Sequence, residues 1–281
     1  MFKITPVVEF YITNVCNLEC RGCNRFNNYK FKGHQYWHDW ADQYELWAKR
    51  LDIPRMSILG GEPTLNPDLE LWVSNLRRLW PNSLIQIQSN GTRFSEEYLG
   101  WWQKYGVGLA ISLHDKTTAE AQRVVWQNKE GMIDAFVFHQ SAIIEDNRSF
   151  KLHTSNPVNA FQSCGMKYDH TMYKGKLWKC PTMAILPDFI KQFDVKLTDQ
   201  QRALLESFTP LSADCSDEAL QDFVDSKDTP IAQCEFCPQD LRWQTALGPL
   251  EDNLPNPDFP PLITDDEIQK EIQKQFTAAN K

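Results

Sequence analysis

Val7-Val8-Glu9-Phe10-Tyr11-Ile12-Thr13-Asn14-Val15-Cys16-Asn17-Leu18-Glu19-Cys20-Arg21-Gly22-Cys23 joins a mostly apolar, β-branched and aromatic run to three cysteines in a C-x3-C-x2-C loop. The run reads as a strand. Three thiolates on one short loop can converge on a single metal centre. Three is one short of a closed tetrahedral zinc site. A four-iron, four-sulfur cluster held by three cysteines leaves one iron open to an outside ligand. On the residues alone, both an iron–sulfur cluster and part of a zinc site stand.

Outward from this loop, short apolar runs at 7–13, 55–59, 84–88, 107–113, 135–139 and 150–153 alternate with helical stretches at 35–51, 68–80, 96–105 and 117–127. In the second helix Leu69, Trp72, Val73, Leu76 and Leu79 recur at helical spacing, between Asn66-Pro67 and Pro81. Strand–helix alternation implies an α/β fold, a parallel sheet with helices packed outside it. Six such strands suit a curved, partly closed (β/α)6 barrel better than the eight-unit closed barrel. After about residue 154 the rhythm changes. Residues 171–178 read as a β-hairpin turning at Lys174-Gly175, followed by short helices at 183–193, 199–208 and 217–224. A Pro/Asn/Asp-rich stretch covers 248–261, and 265–278 reads as a surface helix or a tail. The expected division is a core at 1–155, a hairpin-plus-helix extension at 156–247 and a tail at 248–281.

Of the 281 residues, 42% are hydrophobic, enough to fill a core and to exclude a wholly disordered chain. Lys plus Arg is 29 against 37 Asp plus Glu, a net charge of −8. That sign offers no general attraction for nucleic acid or anionic membranes, and neither is expected as a partner. No run approaches the roughly 20 apolar residues of a membrane span, and the N-terminus lacks a signal-peptide core. The expectation is a cytoplasmic protein, whose eight cysteines bind metal or do redox chemistry rather than form disulfides.

A second cysteine group is Cys164, Cys180, Cys234 and Cys237, spaced C-x10-G-x4-C through Gly175 and then, after a long gap, C-x2-C. Four cysteines ending in C-x2-C fit either structural zinc or an iron–sulfur cluster. Cys215 is left over as a small core or surface residue.

Three further motifs follow strands in order: Gly60-Gly61-Glu62-Pro63 after the second, Ser89-Asn90-Gly91-Thr92 at the third, and Ile111-Ser112-Leu113-His114 at the fourth. With the C-x3-C-x2-C loop, they resemble the radical S-adenosylmethionine (radical SAM) superfamily over roughly residues 7–240. The resemblance implies that Cys16, Cys20 and Cys23 hold a 4Fe–4S cluster. It further implies that Gly60, Gly61, Glu62, Ser89, Asn90 and Ser112 contact SAM, with Glu62 on the amino group. Where the family often carries an aromatic residue before the third cysteine, this chain has Gly22; Phe26 and Tyr29 are the nearby aromatics. Cys164, Cys180, Cys234 and Cys237 resemble the twitch domain, the shortened SPASM extension, which implies one auxiliary 4Fe–4S cluster.

The resemblance also implies the chemistry. SAM is reductively cleaved to a 5′-deoxyadenosyl radical that abstracts a substrate hydrogen. The auxiliary cluster accepts the second electron, so a small polar substrate is oxidised. A flavodoxin or ferredoxin is the implied electron donor. Oxidising an alcohol needs a base, and Arg148, His153 and His139 are the candidates. The first strand begins within ten residues of Met1; this leaves no leader-binding domain and favours a small molecule or a short peptide. Two alternatives stand beside this reading: a peptide-modifying radical SAM enzyme, and a cysteine-rich zinc protein used for binding. Trp37, Trp40, Trp47, Trp101 and Trp102 either pack helices or shield the mouth of the barrel from water.

Overall fold

A computed structural model describes residues 1–18, 23–91, 93, 100, 103–112, 133–136, 145–146, 149–150 and 152–239. In chain order its strands are β1 (Phe2–Lys3), β2 (Val7–Thr13), β3 (Leu51–Asp52), β4 (Arg55–Gly60), β5 (Leu84–Ser89), β6 (Gly108–Ser112), β7 (Ile133–Phe136), β8 (Glu145–Asp146), β9 (Ser149–Phe150), β10 (Asp169–Tyr173) and β11 (Lys176–Trp178). The helices are α1 (Trp37–Arg50), α2 (Leu69–Leu79), α3 (Pro157–Ser163), α4 (Pro181–Gln192), α5 (Asp199–Glu206) and α6 (Asp217–Asp225). Seven strands form one mixed sheet in the order β11-β10-β2-β4-β5-β6-β7, parallel except for the β10–β11 hairpin.

β2 lies inside this sheet and is buried on both faces, which is why its residues are apolar almost throughout. Its side chains alternate. Val8, Phe10 and Ile12 enter a core with Trp37, Tyr44, Trp47, Trp72 and Val73 of α1 and α2. Tyr11 faces a second core with Phe26, Phe31, Tyr173, Phe189 and Phe236. Trp37 stacks on Tyr44 at 5.5 Å and meets Trp72 edge-on at 5.1 Å, and the Trp47 indole N–H donates to the Gly175 carbonyl at 2.9 Å. Trp37 and Trp47 are thus helix-packing residues. Trp101 and Trp102 lie outside the described residues.

The hairpin turns at Lys174 and Gly175, both left-handed with φ of 51° and 68°, the geometry of a two-residue primed turn. β10 runs parallel to β2, with Thr171 opposite Glu9 and Met172 opposite Phe10, so the sheet continues across residue 155. The sixth parallel strand is therefore β10, not the run at 150–153. Ser149–Phe150 instead pairs antiparallel with Glu145–Asp146 outside the large sheet, and the His153 N–H donates to the Phe236 carbonyl at 3.0 Å. The physical reason is burial: His170, Thr171, Met172 and Tyr173 are all buried beside β2, whereas polar residues interrupt Phe150-Lys151-Leu152-His153. No helix among the described residues is long and apolar enough to cross a membrane.

Candidate metal and cofactor site

In a parallel sheet the C-terminal ends of the strands lie on one side, and there the chain gathers its polar motifs. β2 leads through Asn14 and Val15 to Cys16, β4 through Gly61 to Glu62, and β5 ends at Ser89 before Asn90. Two backbone bonds tie the first two together: Gly61 N–H to the Thr13 carbonyl at 2.7 Å and Glu62 N–H to the Val15 carbonyl at 2.8 Å. A Cβ on Gly60 would stand 2.3 Å from the Thr13 carbonyl oxygen, and one on Gly61 would stand 2.3 Å from that of Val15. The space that glycine leaves open here is filled by the chain's own backbone at the root of the cysteine loop.

Glu62 is fully buried. Its Oε1 accepts from Thr64 N–H at 3.1 Å, the Thr64 hydroxyl at 2.6 Å and the Ser89 hydroxyl at 2.7 Å; Oε2 accepts from Asn90 N–H at 2.8 Å. These donors are uncharged, and burial pushes the carboxyl above its ordinary value despite them. Oε1 is crowded with three donors, while Oε2 carries one and keeps acceptor capacity. Sequence reasoning treated Ser89 as a SAM contact and missed Thr64. The signal for Thr64 was an acidic N-cap before a proline, Glu62-Pro63-Thr64.

The Ser89 hydroxyl bonds the charged form of Glu62, so Ser89→Ala raises that carboxyl further. Glu62 is neutral in both folded and unfolded protein below its unfolded value. Above its raised folded value, folding must bury the charge. Ser89→Ala is therefore expected to destabilise by about 1–3 kcal/mol at pH 8 and by less at pH 4. Urea denaturation at the two values checks this; an equal loss at both would show that the hydroxyl does not serve the carboxylate.

Asn90 ties β5 to the cysteine loop: its Nδ2 donates to Asn17 Oδ1 at 2.8 Å and lies 3.9 Å from Cys16 Sγ. Leu18 N–H points at Cys16 Sγ at 3.4 Å. After Cys23 the chain turns, with Phe26 N–H on the Cys23 carbonyl at 3.1 Å and Phe26 at φ 61°. Phe26 and Tyr29 pack against Phe189 at 4.5 and 5.4 Å, in the second core. Cys16 and Cys23 both act on the buried Tyr11. The Tyr11 hydroxyl, Asn14 Oδ1 and Arg25 Nη1, all buried, have no hydrogen-bond partner among the described residues. Soft thiol donors beside such orphaned atoms fit a metal–sulfur group at this place. Cys20, Arg148, His139 and the tail at 248–281 lie outside the described residues. So does the side chain of Ser112, at the end of β6.

The second cysteine group is assembled by helix ends. Cys164 directly follows α3, Cys180 directly precedes α4, Cys234 sits in a short 3-10 turn (Ala232–Phe236) and Cys237 follows that turn. All four line one pocket of about 590 Å³, its open mouth included. Burial pushes the Cys180 thiol up to about 12 and Cys164 up to about 11, and neighbouring thiolates add to both. Burial also raises Cys237 and Cys234. Four such thiols cannot ionise together without a cation among them, which suits a metal centre. Among the described residues no three His, Cys, Asp or Glu converge as a single ion would need; the thiols surround a volume. Cys215 lies apart, 3.6 Å from Arg50 Nη1, which also bonds the Ala213 carbonyl at 2.8 Å.

Residues 10–119 match the model of the Radical SAM superfamily. The matched stretch contains Cys16, Cys20, Cys23, the Gly60-Gly61-Glu62 motif, Ser89, Asn90 and Ser112, and likeness to that superfamily implies a 4Fe–4S cluster and SAM. Cys164, Cys180, Cys234 and Cys237 lie beyond the matched stretch. The chain is similar to an S-adenosylmethionine-dependent nucleotide dehydratase of Flammeovirga pacifica, 26% identical over 149 residues, which are 50% of this chain and 49% of that one. It thus spans about half the length of that relative. The fold is similar to the crystal structure of BtrN in complex with AdoMet and 2-DOIA, with TM-score 0.53, 18% identity and coverage of 86% of this chain and 94% of that one. A looser likeness, to Streptococcus suis SuiB bound to precursor peptide SuiA, has TM-score 0.40, 15% identity and coverage of 69% and 48%. It is too distant to bear on fold or substrate.

Proposed function

We propose that the chain is a radical SAM enzyme that oxidises a small polar substrate by two electrons, with a second 4Fe–4S cluster in a twitch-type extension. The observation that carries this reading is the pocket at which Cys164, Cys180, Cys234 and Cys237 meet from three separate segments of chain. When bound, the two clusters and SAM supply reductive cleavage of SAM, hydrogen abstraction from a substrate carbon and acceptance of the second electron. The chain holds and orients them. Cys16, Cys20 and Cys23 hold one cluster beneath the strand ends of a partial barrel. Glu62 Oε2, with one donor, takes the ammonium of SAM, which would also compensate its buried charge. Asn90 joins the SAM side of the site to the cysteine loop, and Ser112 completes it from β6. His153 is held to the cysteine-bearing segment through its bond to Phe236; with Arg148 it is the candidate to take the substrate's hydroxyl proton. The electron donor is a flavodoxin or ferredoxin.

Anaerobic reconstitution is expected to load about eight irons, four for each cluster. Cys234→Ala is then expected to release 5′-deoxyadenosine from SAM without oxidised product. The match to a nucleotide dehydratase favours a second reading, in which a nucleotide substrate loses water. Dehydration needs no net electron acceptor, so a Cys234→Ala protein that still turns over a nucleotide would select it. A protein that loads zinc and leaves SAM intact would sink both.

A further inference from the structure

The face of β2 turned toward the second core carries Glu9 and Tyr11, and Arg25 lies across both. Arg25 Nη2 donates to both Glu9 oxygens, at 2.7 and 2.9 Å. The Thr171 hydroxyl donates to Glu9 Oε2 at 3.4 Å, and the guanidinium carbon stands 5.7 Å from the centre of the Tyr11 ring. Arg25 is 7% exposed, Glu9 5% and Tyr11 1%. One end of the guanidinium is therefore clamped. The other end, Nη1, is buried and has no partner among the described residues, and the same holds for the Tyr11 hydroxyl. Two orphaned donors side by side are costly unless a further group accepts from them. Arg25 stands two residues beyond Cys23, and Tyr11 lies on β2, the strand that leads into Cys16. The acceptors that belong there are sulfurs.

We propose that Tyr11 and Arg25 are positioning residues that donate hydrogen bonds to the sulfurs of the cluster held by Cys16, Cys20 and Cys23. In this arrangement they raise the cluster's reduction potential, and Glu9 limits how much of the Arg25 charge the cluster feels. The inference rests on the reading that these three cysteines hold a 4Fe–4S cluster. Its physics is simple: reduction adds negative charge, and hydrogen bonds and a nearby cation favour the more negative state.

The test is a redox titration followed by electron paramagnetic resonance on the reconstituted full chain. The relevant signal is the one lost in Cys16→Ala and kept in Cys234→Ala. Arg25→Met is expected to lower the equilibrium constant for reduction about tenfold, a potential about 59 mV more negative for a one-electron couple. Tyr11→Phe, which removes a neutral donor, should lower it about threefold. Glu9→Gln should move it the opposite way, about tenfold up, and Arg25→Lys should stay closer to wild type than Arg25→Met. Opposite signs for Arg25→Met and Glu9→Gln are not what a purely structural pair produces. Arg25→Met strands the buried Glu9 charge and can unfold the protein. Tyr11→Phe removes a hydroxyl that has no protein partner among the described residues and keeps the test open. Unmoved potentials in Tyr11→Phe and Glu9→Gln would overturn the proposal and leave the cluster reading intact. A wild-type protein with no Cys16-dependent signal would overturn both.

Discussion

Cys16→Ala is expected to reduce 5′-deoxyadenosine release from SAM to background, and the iron content from about eight per chain to about four. Cys16 stands directly after the last bonded residues of β2 and is approached by Leu18 N–H and Asn90 Nδ2. Its thiol belongs to the group of polar strand ends rather than to the hydrophobic core. Removing it should therefore cost little folding stability, within about 0.5–1 kcal/mol. Two remaining thiolates cannot hold the three-point geometry that leaves one iron open. Iron counting, SAM cleavage and urea denaturation on one preparation check the three parts together. A variant with wild-type SAM cleavage would remove Cys16 from the metal site.

Gly61→Ala is expected to be as damaging to activity, for a different reason. The added Cβ would lie 2.3 Å from the Val15 carbonyl oxygen, 2.6 Å from its carbon and 2.8 Å from Asn27 Nδ2. The first two are backbone atoms held by the Glu62–Val15 hydrogen bond, so they cannot rotate aside. Relief requires β4 and the root of the cysteine loop to part, which moves Cys16 and Glu62 at once. The expected cost is about 1–3 kcal/mol or more, with loss of SAM cleavage. Gly100→Ala is the control: nothing lies within 4 Å of its Cβ, and the substitution should be neutral or stabilise by about 0.5–1 kcal/mol. If Gly61→Ala melted with the wild type and cleaved SAM normally, the close packing of these strand ends would not matter to the site.

What could be read from the sequence was local. β2 matches the apolar run at 7–13 at both ends, because β-branched and aromatic residues, interrupted only by Glu9, run until Asn14. α1 and α2 lie within a residue or two of their expected limits, since the spacing of Trp72, Val73 and Leu76 and the flanking prolines are short-range signals. The turn at Lys174 and Gly175 needs only its own two residues. What escaped was pairing at a distance. Glu9 stands in an apolar strand, and nothing in its neighbourhood names Arg25, sixteen residues away, as its partner. The run at 150–153 looks as strand-like as β10, and the choice between them was made by the partner face of β2. Phe26 and Tyr29 stand where adenine-stacking residues could be sought, yet packing on Phe189 commits them to the second core.

By itself the sequence determined the order of chemistry along the chain: three cysteines after the first long strand, a Gly-Gly-Glu turn after the next, and beyond residue 160 the group Cys164, Cys180, Cys234 and Cys237 with Cys215 to spare. Such motifs are legible because spacing along the backbone limits which atoms can meet. The tertiary structure alone decided what each motif touches. It gave the open faces of Gly60 and Gly61 to Thr13 and Val15, and spent the Ser89 hydroxyl on Glu62. It also drew β10 into the sheet beside β2, and left Tyr11 and Arg25 with buried donors that have no partner among the described residues. Burial and hydrogen-bond satisfaction act between segments far apart in the chain, so they exist only once the strands have been ordered side by side.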